Sequence, residues 1–259
     1  MPTEKALKLD DCVMRCAVLR RLGLPVIADG CECAACGRPS DSRGFHRTTC
    51  MRTGLVHARH RLLIQTWRRV FREAKSPIPD RNVERLMGAT HIRRSLDDRR
   101  RMDLIASGIP GVFGGQPLFM DATCVSPVHG TGEPMPRAAD NDGAAVDAAD
   151  RKNREVDYPD VEASSVAQLL CLGVETYGRW SRHSVRLVRE LARARAANAP
   201  ETLRRAAEHG FASRWWALLS TAVQQAVGLA VVRDAGGDLH ETADATAPVS
   251  LVDVLDLSR

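Results

Sequence analysis

The most regular alternation of apolar and polar positions in the chain lies at residues 55–75, where apolar side chains recur at helical spacing. The apolar face includes Trp67 and Phe71, and Pro77 ends the pattern. The opposite face is basic, with Glu73 as its only acid. This segment predicts an amphipathic helix with one face in the core.

Shorter apolar runs after this helix have the length of β-strands. Two of them, around residues 102–105 and 118–123, are joined by a Gly/Pro-rich connection, and a third covers residues 166–175. Residues 81–88 predict a further short strand or turn, and residues 144–158 a helix. From the amphipathic helix onward the predicted order is α-β-β-β-α-β, a mixed α/β fold.

The rest of the chain flanks this predicted core. Helical spacing in residues 1–30 places Cys12 and Cys16 one turn apart, either as buried thiols or as metal ligands. After the core, residues 181–209 predict two helices divided at Pro200, and residues 211–233 a final helix. The predicted regions are an N-terminal helical segment (1–30), a cysteine-rich knuckle (31–54), the α/β core (55–181), a helical extension (182–233) and a disordered acidic tail (234–259).

Composition limits the classes of function. The chain is 44% hydrophobic and 27% charged, as in ordinary globular proteins. No uninterrupted apolar run reaches the ~18 residues of a membrane span, and no signal peptide is recognisable, so we expect an intracellular protein without a membrane partner. In that setting, eight cysteines indicate metal binding or buried thiols rather than disulfides.

Charge is unevenly distributed along the chain. The net charge is +5, with arginines concentrated between residues 43 and 101 and acids in the last 26 residues. This asymmetry favours an anionic partner, DNA or RNA. A solvated basic surface is the alternative reading. The predicted nucleic-acid contacts are Arg59, Arg61, Arg68, Arg69, Arg72, Arg100 and Arg101.

Four soft metal ligands occur in a short segment with the spacing C-x2-C-x9-H-x3-C. They are Cys33, Cys36, His46 and Cys50. A tetrahedral zinc site can use these spacings, and Gly37 and Gly44 allow the tight turns that a small knuckle needs. Cys31 is a spare thiol that could replace Cys33. The alternative is a loop with free cysteines. The pattern predicts structural zinc.

Two carboxylates stand within the apolar strands, Asp103 in the first and Asp121 in the second. Burying a carboxylate is costly, and two of them on neighbouring strands repel each other unless a divalent cation or a shared proton intervenes. Singly, Asp103 could pair with one of the arginines at 99–101, and Asp121 could accept a strand-end hydrogen bond. Together they predict a metal-dependent site.

This arrangement resembles the PD-(D/E)xK restriction-endonuclease-like fold. More specifically, the chain resembles the C-terminal region of non-LTR-retrotransposon-type reverse-transcriptase proteins, especially expanded protist forms, in which a zinc knuckle precedes such segments. The segments that carry the resemblance are RRMDL (100–104), PLFMDAT (117–123) and LGVE-x-x-GRWS (172–181). The resemblance spans roughly residues 31–232.

The resemblance implies that Asp103 and Asp121 bind Mg²⁺ or Mn²⁺ for phosphodiester cleavage. Thr123 stands where the motif normally has a lysine, and the resemblance then implies that Lys152 takes over that role, with Glu84 as a third acid. The function expected is DNA nicking, in the nucleus if genomic DNA is the target. The alternative is a catalytically inactive, zinc-stapled nucleic-acid-binding module. A polymerase is set aside, since no Tyr/Phe-x-Asp-Asp pair lies on a hairpin.

Overall fold

The computed structural model describes residues 4–28, 31–76, 100–106 and 108–233. The helices are α1 (Asp11–Arg21), α2 (Phe45–Thr49), α3 (Leu55–Glu73), α4 (Ala144–Lys152), α5 (Pro159–Glu162), α6 (Arg182–Ala196) and α7 (Arg204–Arg233). The strands are β1 (Leu104–Ala106), β2 (Leu118–Val125) and β3 (Gln168–Glu175). The prediction of a mixed α/β fold is therefore confirmed. The predicted strand at 81–88 with Glu84, and the tail at 234–259, lie outside the described residues.

The three strands form one sheet in the order β1-β2-β3. β1 runs antiparallel to β2, with Leu104 opposite Met120. β2 runs parallel to β3, with Asp121 opposite Cys171. Parallel neighbours require a crossover connection, and α4 and α5 lie on the one between β2 and β3.

Side chains alternate between the two faces of this sheet. On the first face, Leu104, Met120 and Leu172 join the main core together with residues of α3, α6 and α7. On the second face, Phe119 packs in a smaller cluster with Tyr158 of the crossover. Because Asp121 is two residues from Phe119, alternation places it on this second face.

The C-terminal helix differs from its prediction. Residues 204–233 form one continuous helix, whereas the sequence predicted separate helices on either side of Gly210. A helical glycine costs about 1 kcal/mol relative to alanine but does not end a helix, and tertiary packing of the flanking turns outweighs that cost.

The stretch Glu201–Val232 is also long and apolar enough to span a membrane, by length and composition alone. Counting only uninterrupted apolar runs missed this. In the structure its Trp215, Leu219 and Val223 are buried in the main core, and the helix packs against α1, α3 and α6. This is the packing of a core helix.

A side-chain cap forms the junction between β3 and α6. Ser181 caps α6 by accepting a hydrogen bond from the Ser184 amide, at 3.1 Å. The Ser181 hydroxyl also donates to the Cys171 carbonyl at 2.8 Å. Trp180, just before the cap, lies against Trp67 of α3 and Trp216 of α7. The junction therefore fixes α6 and α7 relative to the sheet.

Candidate metal centres

The four predicted soft ligands converge. The ligand atoms of Cys33, Cys36, His46 and Cys50 all lie within 4.8 Å of one another. The Sγ atoms of Cys33 and Cys50 are 3.8 Å apart, and Cys36 Sγ lies 3.2 Å from His46 Nε2. In a tetrahedron with zinc bonds of ~2.0–2.3 Å, ligand atoms are about 3.6–3.8 Å apart, so the set is compatible with structural zinc.

Local turns bring these ligands together. Residues around the first two cysteines form a small hairpin, in which the Cys33 amide donates to the Arg38 carbonyl at 2.9 Å and Gly37 has a φ of +68°. The second two ligands belong to α2 and the residue after it. Gly44 (φ +73°) precedes α2, and the Asp41 carboxylate accepts hydrogen bonds from the first two amides of that helix. Both glycines thus occupy the left-handed region that favours glycine.

Cys33, not Cys31, belongs to the ligand set. Cys33 is 1% exposed, whereas Cys31 lies outside the cluster and is only partly buried. Burial raises the pKa of the Cys33 thiol to about 11. A buried thiol of this kind becomes a thiolate at neutral pH only when a cation is beside it.

Buried arginines attach the knuckle to the rest of the protein. Arg47 is 2% exposed and donates to the Val231 carbonyl of α7 at 2.9 Å. Arg59, 6% exposed, donates to the carbonyls of Thr48 and Cys124 at 2.8 and 3.0 Å. This is a correction for Arg59, predicted as a nucleic-acid contact, because its guanidinium is buried and bonded to backbone.

Asp103 lies beside the start of β1. The ladder between β1 and β2 ends with Leu104 opposite Met120, so Asp103 precedes the strand and stands next to the β2 residues that follow Met120. Asp103 Oδ2 accepts a hydrogen bond from the Ala122 amide at 2.8 Å and lies 2.9 Å from Nε2 of His60. Of the two partners, only His60 on α3 carries a positive charge when protonated, and its hydrogen bond to Asp103 raises the pKa of the imidazole.

Asp121 is held from the crossover between β2 and β3. Its Oδ2 accepts a hydrogen bond from the Asn153 side-chain amide at 2.9 Å. Burial raises the pKa of the Asp121 carboxyl, and the nearby charge of Asp103 raises it further. The two carboxylates are therefore close enough to interact electrostatically.

Lys152 is not the crossover residue that contacts Asp121. Its ammonium binds Asp157 at 3.1 Å, and its side chain is 67% exposed. Asn153 follows it and begins a π turn (Asn153–Asp157), in which the Tyr158 amide donates to the Asn153 carbonyl at 2.8 Å. Sequence reasoning missed Asn153, and no local pattern distinguishes it. His60 was visible only as one of several basic residues on the polar face of α3.

The other predicted nucleic-acid contacts have different environments. Arg69 pairs with Glu4 and Glu73, and Arg100 binds Asp160 at 2.7 Å. Arg68 is half-buried. The exposed members of the predicted set are Arg61, Arg72 and Arg101.

Across the described ranges, the Cys/His cluster is the only group of three or more potential metal ligands. The aspartate pair is thus a two-carboxylate arrangement with His60 and Asn153 beside it.

The chain matches no protein-family model, and searches of curated proteins and of solved structures returned no match either.

Proposed function

We propose that this protein is a nuclease-like, metal-dependent nucleic-acid-cleaving domain stapled by a zinc knuckle. The observation that carries the proposal is the closeness of the two aspartates: Asp103 accepts a hydrogen bond from the amide of Ala122, next to Asp121, and its charge adds to burial in raising the pKa of Asp121. Buried carboxylates in such a pair repel each other, and a divalent cation with oxygen ligands relieves that repulsion.

In this proposal Asp103 and Asp121 hold Mg²⁺ or Mn²⁺, which polarises a scissile phosphate and lowers the pKa of an attacking water. His60 and the Ala122 amide orient the Asp103 carboxylate. Asn153 orients the Asp121 carboxylate. Lys152 binds Asp157 and is not assigned the role of the motif's lysine. Glu84 stays a prediction.

The order of the elements supports the PD-(D/E)xK comparison. α3, β1, β2, α4 and β3 follow the order α-β-β-α-β, with an antiparallel pair and then a parallel neighbour reached by a crossover. The resemblance to the C-terminal region of retrotransposon reverse-transcriptase proteins suggests DNA as the substrate and the nucleus as the compartment. The exposed arginines Arg61, Arg72 and Arg101 would meet the phosphates.

The knuckle contributes stability in this proposal. Its four ligands fit zinc in type and in separation. Arg47 of the knuckle binds a backbone carbonyl of α7, and Arg59 of α3 binds carbonyls of both Thr48 in the knuckle and Cys124 in β2. Zinc would therefore stabilise the docking of these elements as well as the knuckle itself.

Nicking of supercoiled plasmid in Mn²⁺ tests the proposal. We expect nicking by the wild type and a loss of about 100-fold or more in Asp103→Asn and in Asp121→Asn, because metal-based charge stabilisation contributes several kcal/mol. Asp147→Asn, at an exposed aspartate on α4, is the matched control and should keep wild-type activity. Equal activity in all four proteins would refute the proposed site.

A second candidate is a catalytically inactive nucleic-acid-binding module. Thr123 at the usual lysine position, and the engagement of Lys152 by Asp157, favour it. The same experiment separates the two functions. Salt-sensitive DNA binding without nicking at any Mn²⁺ concentration is the result expected for the inactive module.

A further inference from the structure

A groove between α6 and α7 has features that the proposed catalytic site does not use. It encloses about 330 Å³, within the range of small-ligand sites. Val185 and Arg189 of α6 line one side, and Arg205, His209 and Trp216 of α7 line the other. The groove is therefore a mixed surface, with apolar side chains beside basic ones.

The electrostatics of the groove favour an anion. Arg189 and Arg205 are both exposed, and neither makes an ion pair within the part of the chain that the structure describes. Glu208 is the single acid among the lining residues, and it lies 3.6 Å from Arg193 Nε, which offsets its charge. Two cationic side chains thus remain available for a ligand.

The apolar part of the groove offers an aromatic ring held in place. Trp216 is half-buried, and its ring lies 5.4 Å from that of Trp180. Trp67 in turn meets Trp180 edge-on at 6.1 Å, so the ring is braced by the core. Val185, opposite on α6, is 38% exposed and leaves apolar surface open to solvent. A planar apolar group fits beside such a ring.

We propose that this groove binds an unpaired nucleotide of a single-stranded nucleic acid, its base against Trp216 and its phosphates on Arg189 and Arg205. Single-strand binders combine basic side chains with aromatic rings on which bases stack. A duplex does not offer its base faces in this way. The inference deepens the proposed nucleic-acid function by naming the strand type, and its test does not depend on cleavage.

The first test removes the two charges. Fluorescence anisotropy with a labelled oligothymidylate should show weaker binding by Arg189→Ala/Arg205→Ala. The slope of log K against log salt should become shallower by about 1.4, since each neutralised phosphate on a single strand contributes about 0.7. The control Arg15→Ala/Arg151→Ala removes two exposed arginines from α1 and α4 and should keep the wild-type slope. Equal slopes in both double variants would overturn the proposal.

The second test places a negative charge in the groove without touching the core. Val185→Glu should weaken oligothymidylate binding about 10-fold or more, because the carboxylate repels phosphate and removes an apolar contact. The matched control is Val18→Glu on α1, where the valine is 44% exposed. Thermal melts check that both variants fold. An equal effect of the two substitutions on binding would contradict the assignment.

Competition distinguishes the ligand's source. Unlabelled oligothymidylate should displace the probe at far lower concentration than thymidine monophosphate or a duplex of equal length. Equal competition by the mononucleotide, better competition by the duplex, or no binding of the probe by the wild type would each overturn the proposal. Groove-dependent single-strand binding in a protein that nicks nothing would leave this inference standing while the proposed cleavage fails.

Discussion

The cysteine knuckle and the aspartate pair are both candidate metal centres, yet they are assembled over very different lengths of chain. The outer ligands of the knuckle, Cys33 and Cys50, are 17 positions apart. At the aspartate pair, Asp103 meets a histidine 43 positions away and Asp121 an asparagine 32 positions away. A site built from local turns is readable from spacing, whereas one built from packed elements is not.

The two centres also differ in how their charges are balanced. The knuckle buries the Cys33 thiol, whose pKa is raised by burial so that a cation is needed to ionise it, and the chain supplies the four ligands in full. The aspartate pair already has protein donors at each carboxylate, namely the Ala122 amide, His60 and Asn153. Stability should therefore depend strongly on metal at the knuckle and weakly at the aspartates.

The largest effect should follow loss of a knuckle ligand. Cys36→Ser should lose stoichiometric zinc and several kcal/mol of stability, or about 10 °C or more in Tm for a chain of this size. Metal analysis and thermal melts measure both. Cys31→Ser is the control and should keep its zinc, since Cys31 lies outside the cluster. Zinc loss in Cys31→Ser instead would reassign the ligand set.

A smaller effect should follow loss of Arg59, which links the knuckle at Thr48 to β2 at Cys124. Arg59→Met leaves the carbonyls of Thr48 and Cys124 without their donor, and each buried unsatisfied carbonyl costs ~1–3 kcal/mol. We expect urea denaturation to show a loss of about 2–4 kcal/mol with zinc content unchanged.

Arg61→Met provides the comparison for that variant. Arg61 is exposed on the same helix, so its replacement should leave stability unchanged. Arg61→Met should weaken DNA binding. If Arg59→Met instead lost DNA binding while keeping normal stability, the structural role of Arg59 would be contradicted.

At the aspartates we expect a gain in stability. Asp121→Asn removes a buried charge that faces Asp103, and should raise stability by about 1 kcal/mol in buffer without Mg²⁺ or Mn²⁺. Asp103→Asn should not stabilise the fold, because it also removes the charge that binds His60. Thermal melts of both variants at pH 7 test this difference. A stabilised Asp103→Asn protein would mean that His60 contributes little.

The smallest expected effect is the pH dependence at His60. Its pKa in the folded protein is raised above the ordinary value of 6.5, first through the hydrogen bond that the imidazole donates to the Asp103 carboxylate. The resulting stabilisation is present below pH 6.5 and is lost as pH rises through the folded-state pKa. Since the side chain is 40% exposed, we expect only a few tenths of a kcal/mol.

Thermal melts of His60→Gln and of the wild type at pH 6 and pH 9 measure this pH-dependent stabilisation by His60. The stability difference between the two proteins should be larger at pH 6 and smaller at pH 9. A difference that grows with pH would reverse the assigned sign.

The sequence predicted the secondary-structure elements more completely than it predicted the contacts between their side chains. Apolar runs of strand length identified the strands around Asp121 and Cys171, and helical spacing identified the helix containing Trp67, because each buries one face or both. Gly210 misled the prediction, since the cost of a helical glycine is small compared with burial of the turns around it. Arg59 looked like its exposed neighbour Arg61, because one sequence position carries no information about which helix face the core will cover.

The sequence by itself identified the Cys/His spacing of the knuckle and singled out Asp103 and Asp121 as carboxylates within apolar strands. It left open whether Cys31 or Cys33 was the first ligand, and the structure decided for Cys33. Only the tertiary structure decided that Asn153 rather than Lys152 contacts Asp121, that His60 meets Asp103, and that Arg59 is buried. These contacts join positions tens of residues apart. They depend on how helices dock on the sheet, which is set by packing of the whole core rather than by any local pattern.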